Sequence, residues 1–182
     1  MKWINIQSIF SGLSIIIIFT GCAGVQKPSS DAHYYFKQGV EYYKKGQYDN
    51  AISAYNKALE INPNDAKAYY NRGTAYAGKG QYDNAISDYN KALEINPNCA
   101  EAYCNRGNAY GEKGQYDNAI SDFNKALEIN PNYVEAYYNR GIIYYKKQEY
   151  DKALDDLEKA QSLGFKVDPE FLNYARESKK EK

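Results

Sequence analysis

The sequence has 182 residues and carries 23 Lys and Arg against 23 Asp and Glu, so its formal charge is zero. A neutral chain has no long-range attraction for a polyanion, which argues against nucleic acid as a partner. With 43% hydrophobic and 25% charged residues, the composition is that of a folded domain and excludes disorder throughout. The unusual feature is the 21 tyrosines, whose amphipathic rings need a structural or binding explanation.

The chain begins with a basic residue, Lys2, followed by a mainly apolar stretch at residues 4–19. A membrane-spanning helix needs about 20 apolar residues, so this interrupted stretch of about 16 is short for one and resembles a signal peptide. The next residues, Phe19-Thr20-Gly21-Cys22, resemble the lipobox of bacterial lipoproteins. The resemblance implies removal of residues 1–21 and acyl chains on the sulfur and amino group of Cys22. An uncleaved anchor and an ordinary signal peptide are the alternatives.

Residues 22–31 are then predicted to be the lipidated cysteine and a flexible tether that includes Gly24 and Pro28. Cleavage removes Lys2 and leaves 22 basic and 23 acidic residues, a charge of −1. Two or more acyl chains anchor a protein stably, which predicts a lipid-anchored location in the bacterial cell envelope. Ala23 resembles the sorting pattern for the outer membrane, so in a Gram-negative cell the protein would face the periplasm.

The body of the chain repeats every 34 residues, in four copies at residues 32–65, 66–99, 100–133 and 134–167. The second and third copies are identical at 27 of 34 positions. Within a copy, Tyr69 and Tyr76 recur at helical spacing before Gly80, and a second helical period runs on to Pro97. Each copy is therefore predicted to hold two short helices, the first ending at Gly80 and the second capped by Asp83.

This pattern resembles the tetratricopeptide repeat, over about three quarters of the chain. The resemblance implies an all-α solenoid of four helix-turn-helix repeats, in which Gly73 opposite Ala85 lets the two helices approach closely. Most tyrosines fall on the family's large-residue positions and are predicted to form the core. Residues 168–182 begin with Asp168 and Pro169, a typical helix start, and are predicted to be a capping helix that covers the last repeat.

The sequence offers little for catalysis. His33 is the only histidine, so no converging set of titratable groups or metal ligands is apparent, and His33 is interpreted as incidental. Cys99 and Cys104 would point about 140° apart on one helix and are predicted to be free thiols. The sequence therefore predicts a protein that is not an enzyme, with no catalytic residues, no cofactor and no metal site.

In tetratricopeptide arrays the first helices of successive copies line a concave groove, and the resemblance assigns three rows of side chains to it. The first row is Phe36, Tyr70, Cys104 and Tyr138, the second is Lys37, Asn71, Asn105 and Asn139, and the third is Val40, Thr74, Asn108 and Ile142. Asparagine both donates and accepts, so such a ladder can bind the backbone of an extended peptide, while the aromatic residues supply affinity. The alternative is that duplication alone repeated the asparagines.

Chaperone-binding members of the family hold a C-terminal carboxylate with Lys, Asn and Arg side chains. The corresponding places here carry Phe36 and Val40, then Glu101 or Glu135 beside an asparagine, so that capture of an acidic tail is not predicted. The expected ligand is an uncharged or aromatic-bearing segment, or another folded protein.

These resemblances imply a non-catalytic adaptor or scaffold in cell-envelope assembly. Its partner would be another protein or an extended peptide held in the groove, and Cys22 would anchor it to the lipid membrane. The alternative is a self-associating structural protein of the envelope, because duplicated repeats with exposed aromatic residues can pair into a homo-oligomer.

Overall fold

The computed structural model describes residues 28–180, with side chains from residue 31 to residue 179. The predicted signal peptide and Cys22 lie outside these residues. The described part consists of helices without strands: α1 Pro28–Lys44, α2 Tyr48–Ile61, α3 Ala66–Gly78, α4 Tyr82–Ile95, α5 Ala100–Glu112, α6 Tyr116–Ile129, α7 Val134–Lys146, α8 Tyr150–Ser162 and α9 Pro169–Lys180. Within residues 28–180, no helix combines the length and the apolar character that crossing a membrane requires.

The helices form four pairs, one in each 34-residue copy, and α9 packs against α8 at the end of the stack. Each pair also contacts the next, because the second helix of one copy lies against the first helix of the following copy. The prediction of an all-α solenoid of four helix pairs with a C-terminal helix is confirmed.

The first helix begins earlier than the sequence predicts. Pro28 starts α1, so residues 28–31 of the predicted tether are helical, and residues 22–27 lie outside the described part. A proline suits the first turn of a helix because the N–H that it lacks would have no helical partner there. Asp31 in the same turn adds a negative charge at the positive end of the helix dipole.

The turn within each copy follows one geometry. Gly46, Gly80 and Gly114 have φ of 71°, 72° and 72°, the left-handed conformation in which a residue with a Cβ is strained. In the fourth copy Gln148 takes this place with φ of 60°. The first helix of the pair therefore ends where the sequence predicts.

The predicted cap of the second helix is wrong. Gln81 is the N-cap residue of α4 and makes no side-chain capping bond, while Asp83 lies in the first helical turn. The Asp83 carboxylate instead accepts a hydrogen bond from Lys113 of the next copy. The same ion pair joins Lys79 to Asp49, Lys147 to Asp117 and Lys179 to Asp151. These aspartates therefore link successive copies.

Close approach of the two helices in a pair depends on a glycine. A Cβ added to Gly73 would lie 3.0 Å from Cε1 of Tyr89 and 3.2 Å from the carbonyl oxygen of Ala85. Tyr89 is almost fully buried there, and the residues at the equivalent place in the other copies are buried too: Tyr55, Phe123 and Leu157. One large side chain per copy thus fills the space beside the glycine.

Most of the other tyrosines are half-buried and pack against the core, so the prediction that tyrosines form the core holds in full only for Tyr55 and Tyr89. Tyr69, Tyr103 and Tyr137 lie under a guanidinium group, with 5.3–5.6 Å from its central carbon to the ring centre. A tyrosine suits such a place because its ring packs against the cation while its hydroxyl stays in water.

The guanidinium groups belong to a cluster of three residues that recurs at each junction between copies. Arg72 donates two hydrogen bonds of 2.7 Å to the carboxylate of Asp88 in its own copy and one of 2.6 Å to Asn56 Oδ1 in the preceding copy. The equivalent clusters are Arg106 with Asp122 and Asn90, and Arg140 with Asp156 and Asn124. Each cluster fixes one copy against the next.

The C-terminal end of the stack is covered. Leu172 and Ala175 of α9 are buried against Leu154, Leu157 and Ala160 of α8. Asp168 Oδ1 accepts a hydrogen bond from the N–H of Glu170, a side-chain bond to the first turn of α9. Helix α9 therefore removes from water the apolar surface that a fifth copy would otherwise cover.

Candidate functional site

The candidate site is the surface of the first helices of the pairs. Helices α1, α3, α5 and α7 contact one another in succession, in addition to their contacts with the second helices. In a curved stack the elements that lie closest together are on the inner side, so these helices line the concave face. The three rows of side chains that the sequence assigns to a groove all lie on them.

The first row forms an aromatic floor with one gap. Phe36, Tyr70 and Tyr138 are half-buried, and their rings contact Tyr55, Tyr89 and Phe165 at 5.9, 6.0 and 4.4 Å between ring centres. These inner contacts fix each ring while one side remains accessible. The structure places Cys104 deeper, at 1% exposure, so that it supports the floor rather than offering a surface to a ligand.

The second row holds the asparagines in a regular position. All three are half-buried, and each Nδ2 makes an internal hydrogen bond: Asn71 to the carbonyl oxygen of Lys67, Asn105 to the hydroxyl of Tyr70 and Asn139 to the sulfur of Cys104. The last two bonds join neighbouring copies, at 2.9 and 3.9 Å. Lys37, in the first copy, is exposed.

The third row changes character along the groove. Val40, Thr74, Asn108 and Ile142 are all half-buried. The Thr74 hydroxyl already makes two internal hydrogen bonds: it donates to the carbonyl oxygen of Tyr70 at 2.9 Å and accepts from the hydroxyl of Tyr89 at 3.3 Å. Asn108 and Ile142 instead line an open cavity of about 310 Å³ between the third and fourth copies. That cavity has room for a side chain of a ligand.

A tyrosine lies at each end of the groove. Tyr43 in the first copy contacts Tyr48, and Tyr145 in the fourth contacts Tyr150 and Phe171, at 5.1–5.6 Å between ring centres. The two middle copies have Ala77 and Gly111 at the same repeat position. The result is a trough with small residues in its middle and a ring at each end.

The titratable groups in the groove floor, the Cys104 thiol and the Tyr70 hydroxyl, stay protonated. Burial raises the pKa of the Cys104 thiol to about 11 and also raises the pKa of Tyr70. Both groups are therefore neutral at physiological pH and poorly suited to act as nucleophile or base. Within the described residues, no three His, Cys, Asp or Glu side chains come together as a group that could hold a metal ion. The free state of Cys99 and Cys104 is confirmed.

None of the features predicted from the sequence corresponds to the Arg-Asp-Asn clusters that hold the groove helices in place. The signal was in the repeat itself: Arg, Asp and Asn recur at fixed positions, yet the first copy has Gln38 and Ala54 where the others have Arg and Asp. Both partners are absent together, which is the pattern expected of residues that bind each other. Asn56 is kept in that copy because it serves Arg72 of the next.

A stack of helix pairs whose inner helices form a continuous groove is a helical-repeat scaffold for protein–protein interaction. Sequence profiles described as tetratricopeptide repeats match residues 39–80, 66–99, 88–121, 107–148 and 134–163. The chain belongs to the tetratricopeptide repeat family.

Solved structures support this assignment. A crystal structure of MamA protein superimposes with a TM-score of 0.74 at 30% identity, covering 83% of this chain and 84% of that one. The first tetratricopeptide domain of Spaghetti (RPAP3), bound to the HSP90 peptide SRMEEVD, gives 0.65 at 31% identity, covering 68% and 98%. The Arabidopsis OM64 domain gives 0.64 at 26% identity, covering 65% and 98%. No curated protein sequence matches the chain.

Proposed function

We propose that this protein is a membrane-anchored, non-catalytic scaffold of the bacterial cell envelope that holds an extended segment of a partner protein in its concave groove. The observation that carries the proposal is the row of Asn71, Asn105 and Asn139 beside an aromatic floor. The peptide complex of the RPAP3 domain, at 31% identity, supports a peptide as the ligand of such a stack.

The asparagine amides are prepared to bind a peptide backbone. Each side chain has two N–H donors and one acceptor oxygen, and the internal bond uses only one N–H. That bond fixes the amide, while Oδ1 accepts no hydrogen bond from the described residues. A main-chain N–H and C=O of a ligand can therefore pair with Oδ1 and the second N–H without reading the ligand's side chains.

The ligand proposed here differs from an acidic C-terminal tail. Phe36 and Val40 line the groove in the first copy, and Glu101 is exposed at its edge in the third. An apolar surface does not hold a carboxylate, and a glutamate repels one. The cavity beside Asn108 and Ile142 also has Glu112 and Lys146 in its lining, one charge of each sign, so it offers no cluster of positive charge for a carboxylate.

Anchoring rests on the lipobox-like sequence at Cys22. Residues 23–27 separate this cysteine from Pro28 at the start of α1, and the fully extended chain between the two spans at most about 20 Å. A lipid on Cys22 would therefore keep the start of α1 within about that distance of the membrane surface. Confinement of this kind raises the effective concentration of the protein near a partner in the same membrane.

Affinity capture from detergent-solubilised envelopes tests the groove. We expect the Asn71→Ala/Asn105→Ala/Asn139→Ala variant to lose one envelope protein that the wild type retains. The matched control replaces three exposed asparagines at equivalent positions of the second helices, Asn50, Asn84 and Asn118, and should retain that protein. Capture that is the same for all three forms would place the binding surface on another face.

Fractionation of cells tests the anchor separately. The Cys22→Ala variant should move from the membrane fraction to the soluble fraction, whereas Cys99→Ala should remain with the membrane. A Cys22→Ala protein that stays in the membrane fraction would disprove lipid anchoring at this residue and leave the groove proposal untouched.

A further inference from the structure

The groove asparagines differ in what their amides contact, although they share one repeat position. At the junction between the second and third copies, Asn105 Nδ2 donates a hydrogen bond of 2.9 Å to the hydroxyl of Tyr70. Repeat symmetry puts Phe36 in the same relation to Asn71, but a phenylalanine has no hydroxyl to accept that bond. Asn71 bonds instead to the carbonyl oxygen of Lys67 in its own helix. The floor residue of one copy therefore determines the contact of the asparagine in the next.

The junction between the third and fourth copies also lacks a floor hydroxyl. Asn139 Nδ2 lies 3.9 Å from the sulfur of Cys104, which is a weak acceptor. The Cys104 side chain is buried and is also hydrogen-bonded with Tyr133, so its thiol is not available to a ligand. Of the three junctions, the one between the second and third copies thus combines a groove asparagine with a hydroxyl from the floor.

The Tyr70 hydroxyl is placed to donate a hydrogen bond to a ligand. Its oxygen accepts from Asn105, while its own proton is donated to no group in the part of the chain that the structure describes. The ring packs against Tyr89 at 6.0 Å between ring centres, which restricts its movement. Both Tyr70 and Asn105 are half-buried in the groove, so each keeps an accessible side. Burial also raises the pKa of Tyr70, so that the hydroxyl stays protonated at physiological pH.

We infer that Tyr70 and Asn105 together bind the main chain of one ligand residue, with the Tyr70 hydroxyl donating to its C=O and Asn105 Oδ1 accepting from its N–H. This inference rests on the proposed function, because it concerns the segment held in the groove. In an extended chain the N–H and C=O of one residue point to the same side, as they do in an antiparallel sheet. A hydroxyl beside an amide oxygen can therefore pair with both.

This contact sets a requirement on the ligand. The bound residue must have a free N–H, so proline is excluded there, whereas the side chain is not read. Packed helices lie about 8–10 Å apart and an extended chain advances about 3.3 Å per residue, so neighbouring copies correspond to about three ligand residues. Equal contacts at all three asparagines would make three residues at that spacing equally important. The difference between the junctions predicts a single one.

Peptides selected from a random 12-residue library on the detergent-solubilised full-length protein provide the probe. The Tyr70→Phe variant keeps the ring and loses only the hydroxyl. We expect it to bind the selected peptides roughly five- to tenfold more weakly, the loss typical of one hydrogen bond between uncharged groups. Asn105→Ala should lose a similar factor. The double variant should lose less than the product of the two, because the hydroxyl holds the amide in place.

The matched control is Tyr138→Phe. It removes a hydroxyl at the same repeat position of the fourth copy, where Phe165 packs on the ring at 4.4 Å between ring centres and no fifth copy supplies an asparagine. This variant should bind the selected peptides like the wild type.

Changes to the peptide backbone separate a direct contact from a structural effect of Tyr70. N-methylation of one peptide residue at a time removes one N–H, and a single residue should be sensitive in the wild type but not in Asn105→Ala. Replacing the amide that follows this residue by an ester weakens its carbonyl as an acceptor. This change should cost affinity in the wild type and less in Tyr70→Phe, a difference that a purely structural role of the hydroxyl would not produce.

Two results would overturn the inference in different ways. Peptides that depend on Asn71, Asn105 and Asn139 but bind Tyr70→Phe as tightly as the wild type, or that have several equally sensitive residues, would refute the inference and leave the groove function standing. Peptides that bind regardless of the asparagines, or a library that yields no binder, would count against the groove function and therefore against both.

Discussion

At the residue scale, the Arg-Asp-Asn cluster joins three helices through a single guanidinium group. The Arg106 and Asp122 side chains are 18% and 8% exposed, so removal of either one leaves a poorly hydrated charge without its partner. That penalty exceeds the net gain of forming the pair. Because the cluster spans two copies, its loss should weaken the junction that keeps the groove continuous.

We therefore expect Arg106→Ala to lower the free energy of unfolding by about 3 kcal/mol, measured by urea denaturation. Lys113→Ala in the same copy removes the ion pair with Asp83, whose carboxylate is 82% exposed. This control should change stability by less than about 1 kcal/mol, because water screens exposed pairs. Equal losses in the two variants would contradict the distinction between buried and exposed pairs.

The two cysteines of the repeats, Cys99 and Cys104, should differ in reactivity. Burial raises the pKa of Cys104 to about 11, so at pH 8 only about 0.1% of that thiol is the reactive thiolate. Cys99 is partly exposed, although burial raises its pKa as well. Native protein treated with iodoacetamide should therefore be alkylated at Cys99 long before Cys104, as read by mass spectrometry of the two peptides, and urea should abolish the difference. Equal native rates would show that the groove floor opens at Cys104.

At the element scale, two glycines of α5 have different reasons to be glycine. A Cβ on Gly107 would lie 2.9 Å from the ring of Phe123 and 3.2 Å from the carbonyl oxygen of Ala119. A Cβ on Gly111 would meet only Cδ1 of Ile143 at less than 3.0 Å, the end of a flexible side chain. The space beside Gly107 is bounded by backbone and a fully buried ring, whereas the Ile143 side chain beside Gly111 can move.

Gly107→Ala should therefore destabilise the protein by about 1–3 kcal/mol, because the pair of helices must separate. Gly111→Ala should be neutral or stabilising by up to about 1 kcal/mol, since alanine favours a helix and the isoleucine can rotate. Thermal unfolding followed by circular dichroism compares the two. A larger loss for Gly111→Ala would show that Ile143 is held as rigidly as the backbone.

The sequence predicts the features of the fold that depend on local signals, but not those that depend on contacts between copies. Helix ends depend on local signals, so Gly80 and Pro97 predict the turns, and Gly73 opposite Ala85 predicts the close crossing. The partners of Asp83 and Arg72 depend on which copy stacks on which, and a polar residue on a helix could equally face water. For the same reason the sequence predicts that Tyr70 and Asn105 line one groove, but not that they form a hydrogen bond. It also predicts Cys104 on the groove surface, whereas in the structure Cys104 is buried and bonded to Asn139 of the next copy.

At the scale of the whole molecule, both ends of the stack are closed. The second, third and fourth copies have buried Ala75, Ala109 and Ile143 at one position, with Ala75 and Ile143 packed against the preceding copy, whereas the first copy has exposed Glu41 there. At the other end α9 covers Leu154 and Leu157. End-to-end stacking would therefore bury a charged side chain on one side and require removal of a helix on the other, which disfavours the self-associating alternative.

Sedimentation in detergent tests this interpretation. The full-length protein should remain a monomer over a wide range of concentration, because the first copy presents exposed Glu41 where other copies are apolar and α9 covers Leu154 and Leu157. A chain that stops at Lys166 lacks α9 and should self-associate or aggregate, because Leu154 and Leu157 become exposed. The Arg176→Ala/Lys179→Ala control removes two ion pairs of α9 but keeps its apolar contacts, so it should sediment like the wild type. Concentration-dependent association of the full-length protein would instead favour the self-associating alternative.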